Sequence, residues 1–123
     1  MKDFTDLDVY KIASKLTSNI YSISALFPDE EKYGIVSQLR RAVLSIGANI
    51  AEACGRYHYL DRVRFLYNAR GSLLEVKHFI LEAEKLGFID KKTKKELMKN
   101  IRDLSVKLNN YIDSTKKLAD TRS

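Results

Sequence analysis

Few side chains in this sequence can do acid–base or metal chemistry, and those few are not clustered. Glu75-Val76-Lys77-His78 has the Glu-x-x-His spacing of di-iron sites in helical bundles. Such sites need a second copy of the motif and two further glutamates. The sequence holds only two histidines, and the second one, His58, has no glutamate three residues before it. We therefore expect no metal site and no cofactor.

A helical ribonuclease with an arginine four to six residues before a histidine is a second alternative. Arg56 and His58 are too close for that spacing, and Arg70 and His78 are too far apart. His58 lies four residues after Cys54 but in the predicted connection between two helices, so we interpret Cys54 as a small core residue. We predict that the chain is not an enzyme and has no catalytic residues.

Polar residues form a stripe on each of two predicted helices. The stripes consist of Arg41, Ser45, Asn49 and Glu52 on one helix and of Asn68, Ser72 and Glu75 on the next. Two interpretations are open: a pocket, which would make the chain a small enzyme or a ligand-binding bundle, or a structural network that fixes the register of two helices. We favour the network, because an unpaired buried polar group costs about 1–3 kcal/mol. Asn49→Leu or Glu52→Ala is then expected to destabilise the fold.

The elements that position these residues are predicted to be helices throughout. The 123 residues include one proline and five glycines, and apolar residues recur at helical intervals. We predict helices at about residues 6–27, 30–57, 60–86 and 91–118, in one domain of residues 1–118 with a frayed tail at 119–123. The start of the second helix is open between Asp29 and Ile35, because Gly34 can interrupt its first turn. Gly87 is expected to end the third helix and Asp90 to cap the fourth. Short connections favour an antiparallel up-down-up-down four-helix bundle.

The two middle helices are apolar on two faces, of which only one is needed for the core. The additional face contains Val36 and Leu44 on the second helix and Val63, Tyr67, Leu74 and Leu81 on the third. Contiguous exposed apolar patches larger than a few hundred Å² usually mark an interface. We therefore predict a homo-oligomer with these residues at its interface. The alternative is a tilted bundle that buries both faces within one chain.

Positive charge is concentrated in two parts of the chain. The net charge of +6 divides into −2 in residues 1–39, +4 in 40–70, −1 in 71–89 and +5 in 90–123. The candidate nucleic-acid-binding residues are Arg40, Arg56, Arg62, Arg64, Arg70, Lys91, Lys92, Lys94, Lys95 and Lys99. Lysines at a helix N-terminus oppose the helix dipole, and aromatic residues beside arginines suit stacking on bases. The two hypotheses are sequence-independent binding of RNA or DNA and a solvated surface without such a role.

The sequence also predicts where the protein is found. It has no apolar run near the roughly 18 residues that a membrane span requires. Met1–Asp6 lacks the layout of a secretion signal. The single Cys54 cannot form an internal disulfide, which favours a reducing compartment. We expect a cytoplasmic protein with no membrane contact and no small-molecule substrate.

A series of short motifs between Phe4 and Ile89 resembles the four-helix-bundle proteins, also called the ribosomal RNA intervening-sequence protein family. The motifs are Leu7-Asp8-Val9-Tyr10, Phe27-Pro28, Tyr33-Gly34, Ser37-Gln38-Leu39-Arg40-Arg41-Ala42, Ser45-Ile46, Asn49-Ile50-Ala51-Glu52, Gly55-Arg56, Phe65-Leu66, Gly71-Ser72-Leu73 and Leu86-Gly87-Phe88-Ile89. The resemblance implies an antiparallel bundle that assembles into a ring, expected to be a pentamer. Relatives in diversity-generating retroelements are accessory proteins that bind a reverse transcriptase and nucleic acid, so these partners are implied as well.

Overall fold

The computed structural model describes residues 3–122, without the side chain of Arg122, and this range contains four long helices and no strand. The helices are α1 (Asp8–Ser24), α2 (Ile35–Gly55), α3 (Tyr59–Lys85) and α4 (Lys91–Arg122). The predicted all-helical class with four helices is confirmed. The secretion-signal prediction depends partly on Met1 and Lys2, and the predicted tail includes Ser123, all of which lie outside the described residues.

Each helix packs against two others around one apolar core. α1 and α3 each contact both α2 and α4. The core is filled by fully buried leucine and isoleucine side chains such as Leu16, Ile46 and Leu104. Phe27 and Phe88 are in contact, with ring centroids 5.4 Å apart. The connection between α1 and α2 therefore lies at the same end of the bundle as the connection between α3 and α4.

The ends of α3 and α4 are set by the local signals expected from the sequence. Gly87 follows α3 with a φ of +81°, a conformation that a glycine adopts without steric cost. The backbone N–H of Thr93 donates to Oδ1 of Asp90 at 2.7 Å, which caps α4. This hydrogen bond lowers the pKa of the Asp90 carboxyl. Both predictions are confirmed.

Both α1 and α2 begin a few residues after residues 6 and 30, because a short 3-10 turn precedes each helix. The N–H of Asp3 donates to the Asp6 carboxylate at 3.1 Å, which closes the turn Phe4–Asp6 before α1 begins at Asp8. A second turn at Asp29–Glu31 delays α2 to Ile35.

The helix α4 runs through Arg122, beyond the end predicted at residue 118, because its last turn is still packed. Ala119 is buried, whereas Leu118 is exposed. Leu97, Leu108 and Ala119 are all buried at intervals of eleven residues, and this repeat of about 3.67 residues per turn differs from the roughly 3.5 of a left-handed coiled-coil seam. No helix in residues 3–122 is long and apolar enough to cross a membrane.

Candidate functional site

Three of the predicted polar-network residues meet between α2 and α3. The Ser72 hydroxyl donates to Oγ of Ser45 at 2.9 Å. Asn49 Nδ2 donates to the same Oγ at 3.1 Å and to the backbone carbonyl of Ser45 at 2.8 Å. Ser72 is only 7% exposed. These contacts join the two helices at a single hydroxyl.

The other members of the predicted network lie at the surface. Arg41 Nη2 and Glu75 Oε2 form an exposed ion pair between α2 and α3 at 2.7 Å. Glu52 pairs instead with Arg56 one turn further along α2, at 2.6 Å, and Asn68 is exposed. Exposed ion pairs contribute only about 0.2–1 kcal/mol. The structure therefore favours at most a small destabilisation by Glu52→Ala.

The polar network connects two helices by hydrogen bonds between their side chains. Within residues 3–122, every buried side-chain nitrogen or oxygen has a hydrogen-bond partner. The same range contains no group of three histidine, cysteine or acidic side chains that would hold a metal ion. Glu75 of the Glu-x-x-His motif is in the ion pair with Arg41, and His78 is exposed.

Cys54 is half-buried and lies against Tyr111, where α2 ends beside α4. Its Sγ is 3.7 Å from the Tyr111 hydroxyl. Burial, together with this contact, raises the pKa of Tyr111 to about 12. Cys54 therefore has a packing role with one polar contact.

Arg40, a candidate for nucleic-acid binding, is occupied within the fold. Its Nε donates to Ser24 Oγ at 2.9 Å, and its Nη2 donates to the carbonyl of Tyr21 at 3.3 Å. The guanidinium carbon also lies 4.5 Å from the centre of the Tyr21 ring. A cation here adds a hydrogen bond to the Tyr21 carbonyl, which already accepts from the backbone N–H of residue 25, and it complements the helix dipole at the C-terminal end of α1. We assign Arg40 this structural role.

The remaining candidate arginines stack on aromatic rings of α3. The guanidinium carbons of Arg56 and Arg64 lie 4.5 and 4.8 Å from the centre of the Phe65 ring. Arg62 lies over Tyr59, and its Nε donates to the carbonyl of Arg56 at 2.7 Å. These contacts hold the three arginines against the subunit.

Arg70 is held in a similar way between α3 and α4. Its guanidinium carbon lies 4.7 Å from the centre of the Tyr67 ring, and its Nη1 donates to Asn109 Oδ1 at 3.1 Å. Arg70 therefore joins α3 to α4. Like the arginines stacked on Phe65 and Tyr59, it has a role inside the subunit.

The candidate lysines of α4 differ from these arginines because most of them are unengaged. Lys91, Lys92, Lys95 and Lys99 are exposed and make no ion pair within residues 3–122. Lys94 is half-buried, with its Nζ 3.8 Å from Glu84 Oε1 at the end of α3. Among the candidate residues, the α4 lysines thus carry most of the positive charge that is not paired within the subunit.

Of the residues predicted at the apolar interface, some are exposed and others are buried inside the subunit. Tyr67, Leu74 and Leu81 are exposed on α3, Leu74 by 61%, and Leu44 is exposed on α2. These exposed side chains lie on the two middle helices, and the Tyr67 ring lies beneath the cationic groups of Arg70 and Lys116.

Two predicted interface residues, Val36 and Val63, are buried within the subunit, at 8% and 7% exposure. Val36 is seven residues before Val43 and shares its core face. Val63 is seven residues before Arg70, which contacts α4, so it lies on the flank of α3 that faces α4. Placing both residues at an oligomer interface was therefore wrong.

The fold and these surfaces can now be compared with known proteins. Residues 5–110 match the family model described as 23S rRNA-intervening sequence protein. The chain belongs to this family. A crystal structure from Bacteroides thetaiotaomicron, of a protein with unknown function from the S23 ribosomal protein family, is similar with a TM-score of 0.78 and 20% identity, over 85% of this chain and 97% of that one. No curated protein sequence matches the chain significantly.

The sequence did not identify every residue that the structure places in these surfaces. Leu60 is 71% exposed and precedes Tyr67 by seven residues, so the spacing of the exposed apolar residues was the available signal. The helix-end roles of Arg40 and Arg62 carry no sequence signal, because they depend on which carbonyls the packing brings close.

Proposed function

We propose that this chain is a non-enzymatic scaffold or adaptor that self-associates and binds RNA or DNA through basic surfaces. The proposed architecture is an antiparallel up-down-up-down bundle that assembles as a ring. The expected partners are further copies of the chain, nucleic acid and a nucleic-acid enzyme such as a reverse transcriptase. A cytoplasmic location fits the free thiol of Cys54.

The observation that carries the proposal is the exposed apolar line along α3. Leu60, Tyr67, Leu74 and Leu81 follow at intervals of seven residues and are all exposed. Twenty-one residues of helix span about 31 Å, so the line is long enough for a neighbouring helix to pack along it. A row of exposed apolar side chains of this kind on a small domain favours an interface.

Contacts between the helices support the proposed antiparallel arrangement. Arg41 pairs with Glu75, and Ser45, further along α2, pairs with Ser72, which is earlier in α3. The partner position thus moves backwards along α3 as α2 advances. The ring and the pentamer depend on the family resemblance.

The nucleic-acid part of the proposal is supported by the charge distribution. Residues 90–123 hold ten lysine and arginine residues against five acidic ones. In a ring, such a surface would be repeated in every subunit, and several simultaneous phosphate contacts would make binding strongly dependent on salt.

Light scattering after gel filtration tests self-association. One subunit weighs 14.2 kDa, and a pentamer is expected to weigh about five times as much. Fully burying a leucine side chain stabilises by about 1.5–3 kcal/mol, so a Leu74→Lys chain is expected to associate at least tenfold more weakly. Leu26→Lys is the matched control, because Leu26 is exposed in the connection after α1 and its replacement adds the same charge.

The proposal is overturned if the unmodified chain remains a 14.2 kDa monomer at every concentration. It is also overturned if Leu26→Lys weakens association as much as Leu74→Lys. Nucleic-acid binding is tested separately by retention on heparin and by gel shift at two salt concentrations.

A further inference from the structure

A shallow basic depression lies between the end of α3 and the first turns of α4. It is lined by Glu84, Lys91, Lys94, Lys95, Met98 and Arg102. Four cations against one carboxylate leave a local charge of +3. Glu84 is close only to Lys94, at 3.8 Å, so it neutralises little of the rest.

The depression belongs to a longer basic row along α4, defined by Lys91, Lys95, Lys99 and Arg102. The intervals of four, four and three residues place these side chains on one helix face, and all four are exposed. Eleven residues of helix span about 16 Å. Within residues 3–122 none of the four pairs with a carboxylate.

This row has no role in stabilising the subunit. Like charges one turn apart repel each other, and cations in the first turns oppose the helix dipole. The nearby carboxylate of Asp90 is occupied by its hydrogen bond to Thr93. Unpaired cations that destabilise their own helix are typical of a surface that binds an anion.

The chemistry of the row favours a regular phosphate backbone over exposed bases. No aromatic side chain lines the depression, whereas proteins that bind single strands stack the bases on aromatic rings. The exposed aromatic pair Tyr57 and His58, with ring centroids 5.0 Å apart, lies in the connection between α2 and α3. That connection is at the opposite end of α3 from the depression.

We propose that the row from Lys91 to Arg102 binds the phosphodiester backbone of double-stranded nucleic acid without discriminating between base sequences. This inference depends on the proposed nucleic-acid binding and specifies its surface and its ligand. Duplex RNA and duplex DNA present the same chemistry, and the experiment distinguishes them.

Fluorescence anisotropy with the full chain tests the inference, using labelled RNA and DNA duplexes of about 20 base pairs and the corresponding single strands. We expect duplexes of unrelated sequence to bind equally and at least tenfold more tightly than the single strands. Each phosphate contact contributes about 0.9 to the slope of log K against log salt. Lys91→Gln with Lys95→Gln is expected to reduce this slope by about 1.8 for each bound row.

A charge-reversal pair provides the matched control. Lys91→Glu with Lys95→Glu is expected to weaken duplex binding at least tenfold. Lys11→Glu with Lys15→Glu makes the same change in net charge at two exposed positions one turn apart on α1, and should change affinity less than threefold. The α4 variant should stay folded by circular dichroism, because acidic residues suit the start of a helix.

The outcomes separate this inference from the proposed function. Equal losses in the two charge-reversal variants, or tighter binding of single strands that disappears in Tyr57→Ala, overturn the inference but keep nucleic-acid binding. Equally tight binding of polyglutamate also overturns it, because the row would then recognise any polyanion. If the unmodified chain binds none of the nucleic acids, the proposed nucleic-acid function itself is wrong.

Discussion

The hydrogen bond between Ser72 and Ser45 provides the clearest test that the polar network is structural. Ser72→Ala removes a donor 2.9 Å from Ser45 Oγ at a position that is 7% exposed. An intramolecular hydrogen bond contributes about 0.5–1.5 kcal/mol net. Ser45 Oγ still accepts from Asn49 at 3.1 Å, so no acceptor is left unpaired. We expect Ser72→Ala to lower the free energy of unfolding by about 1 kcal/mol.

Removing the acceptor, Ser45, is expected to lower the free energy of unfolding more than removing the donor, Ser72. Ser45→Ala leaves the Ser72 hydroxyl buried without its acceptor, which costs about 1–3 kcal/mol. Asn49 keeps its hydrogen bond to the backbone carbonyl of residue 45, at 2.8 Å in the unmodified chain. The double variant removes both hydroxyls and should be no less stable than Ser45→Ala alone. The coupling energy of this double-mutant cycle is then about 1 kcal/mol.

Urea unfolding followed by far-UV circular dichroism measures these differences, at one fixed protein concentration because self-association shifts apparent stability. Ser18→Ala, at an exposed position on α1, is the matched control and should change stability by less than about 0.5 kcal/mol. Additive effects of the two serine changes would refute the reasoning. So would a Ser72→Ala chain as stable as the unmodified one, because the hydroxyl would then be free for some other role.

Two further predictions concern the connection between α3 and α4. The hydrogen bond from Thr93 lowers the pKa of Asp90. The Asp90 carboxylate therefore stabilises the fold fully above its ordinary pKa of about 3.9. This stabilisation is lost as the pH falls through the lowered pKa. Asp90→Asn should therefore flatten the acid limb of a melting-temperature profile between about pH 2 and 7, and an unchanged limb would contradict this. Gly87→Ala should cost about 1–2 kcal/mol in urea unfolding because φ is +81° there. Gly71→Ala, with open space around the added carbon, should not destabilise, and equal losses in the two variants would count against the backbone argument.

The helix boundaries were predictable where the signal is local. Gly87 and Asp90 act through their own backbone conformation or a neighbour three residues away, and both were found from the sequence. The start of α2 was predicted only as a range from Asp29 to Ile35, because Asp29–Glu31 has the acidic composition of a first helical turn. These three residues form a separate 3-10 turn, and α2 begins at Ile35, the last position of that range. Composition does not distinguish these two conformations, since both leave the same N–H groups to be satisfied.

The polar network was predicted in part for a similar reason. Helical spacing places Ser45, Asn49 and Ser72 on facing stripes, and these three do meet. Glu52 has the same spacing but finds Arg56 one turn away on its own helix. A short-range partner on an exposed surface competes well with a partner on another helix, because it needs no tertiary geometry. A polar stripe on a helical wheel therefore predicts on which face of the helix a side chain lies, but it does not predict which residue that side chain contacts.

The sequence also predicts where the basic residues cluster, but it does not predict which of them are engaged in contacts within the subunit. In the sequence, the arginines of residues 40–70 and the lysines after Asp90 form two comparable clusters. In the fold, Arg40 and Arg62 bind backbone carbonyls, and Arg62 also stacks on Tyr59. Their planar guanidinium groups suit both contacts, which an ammonium group does not reproduce. Lysine side chains keep their charge in water, so the α4 row remains available for a partner.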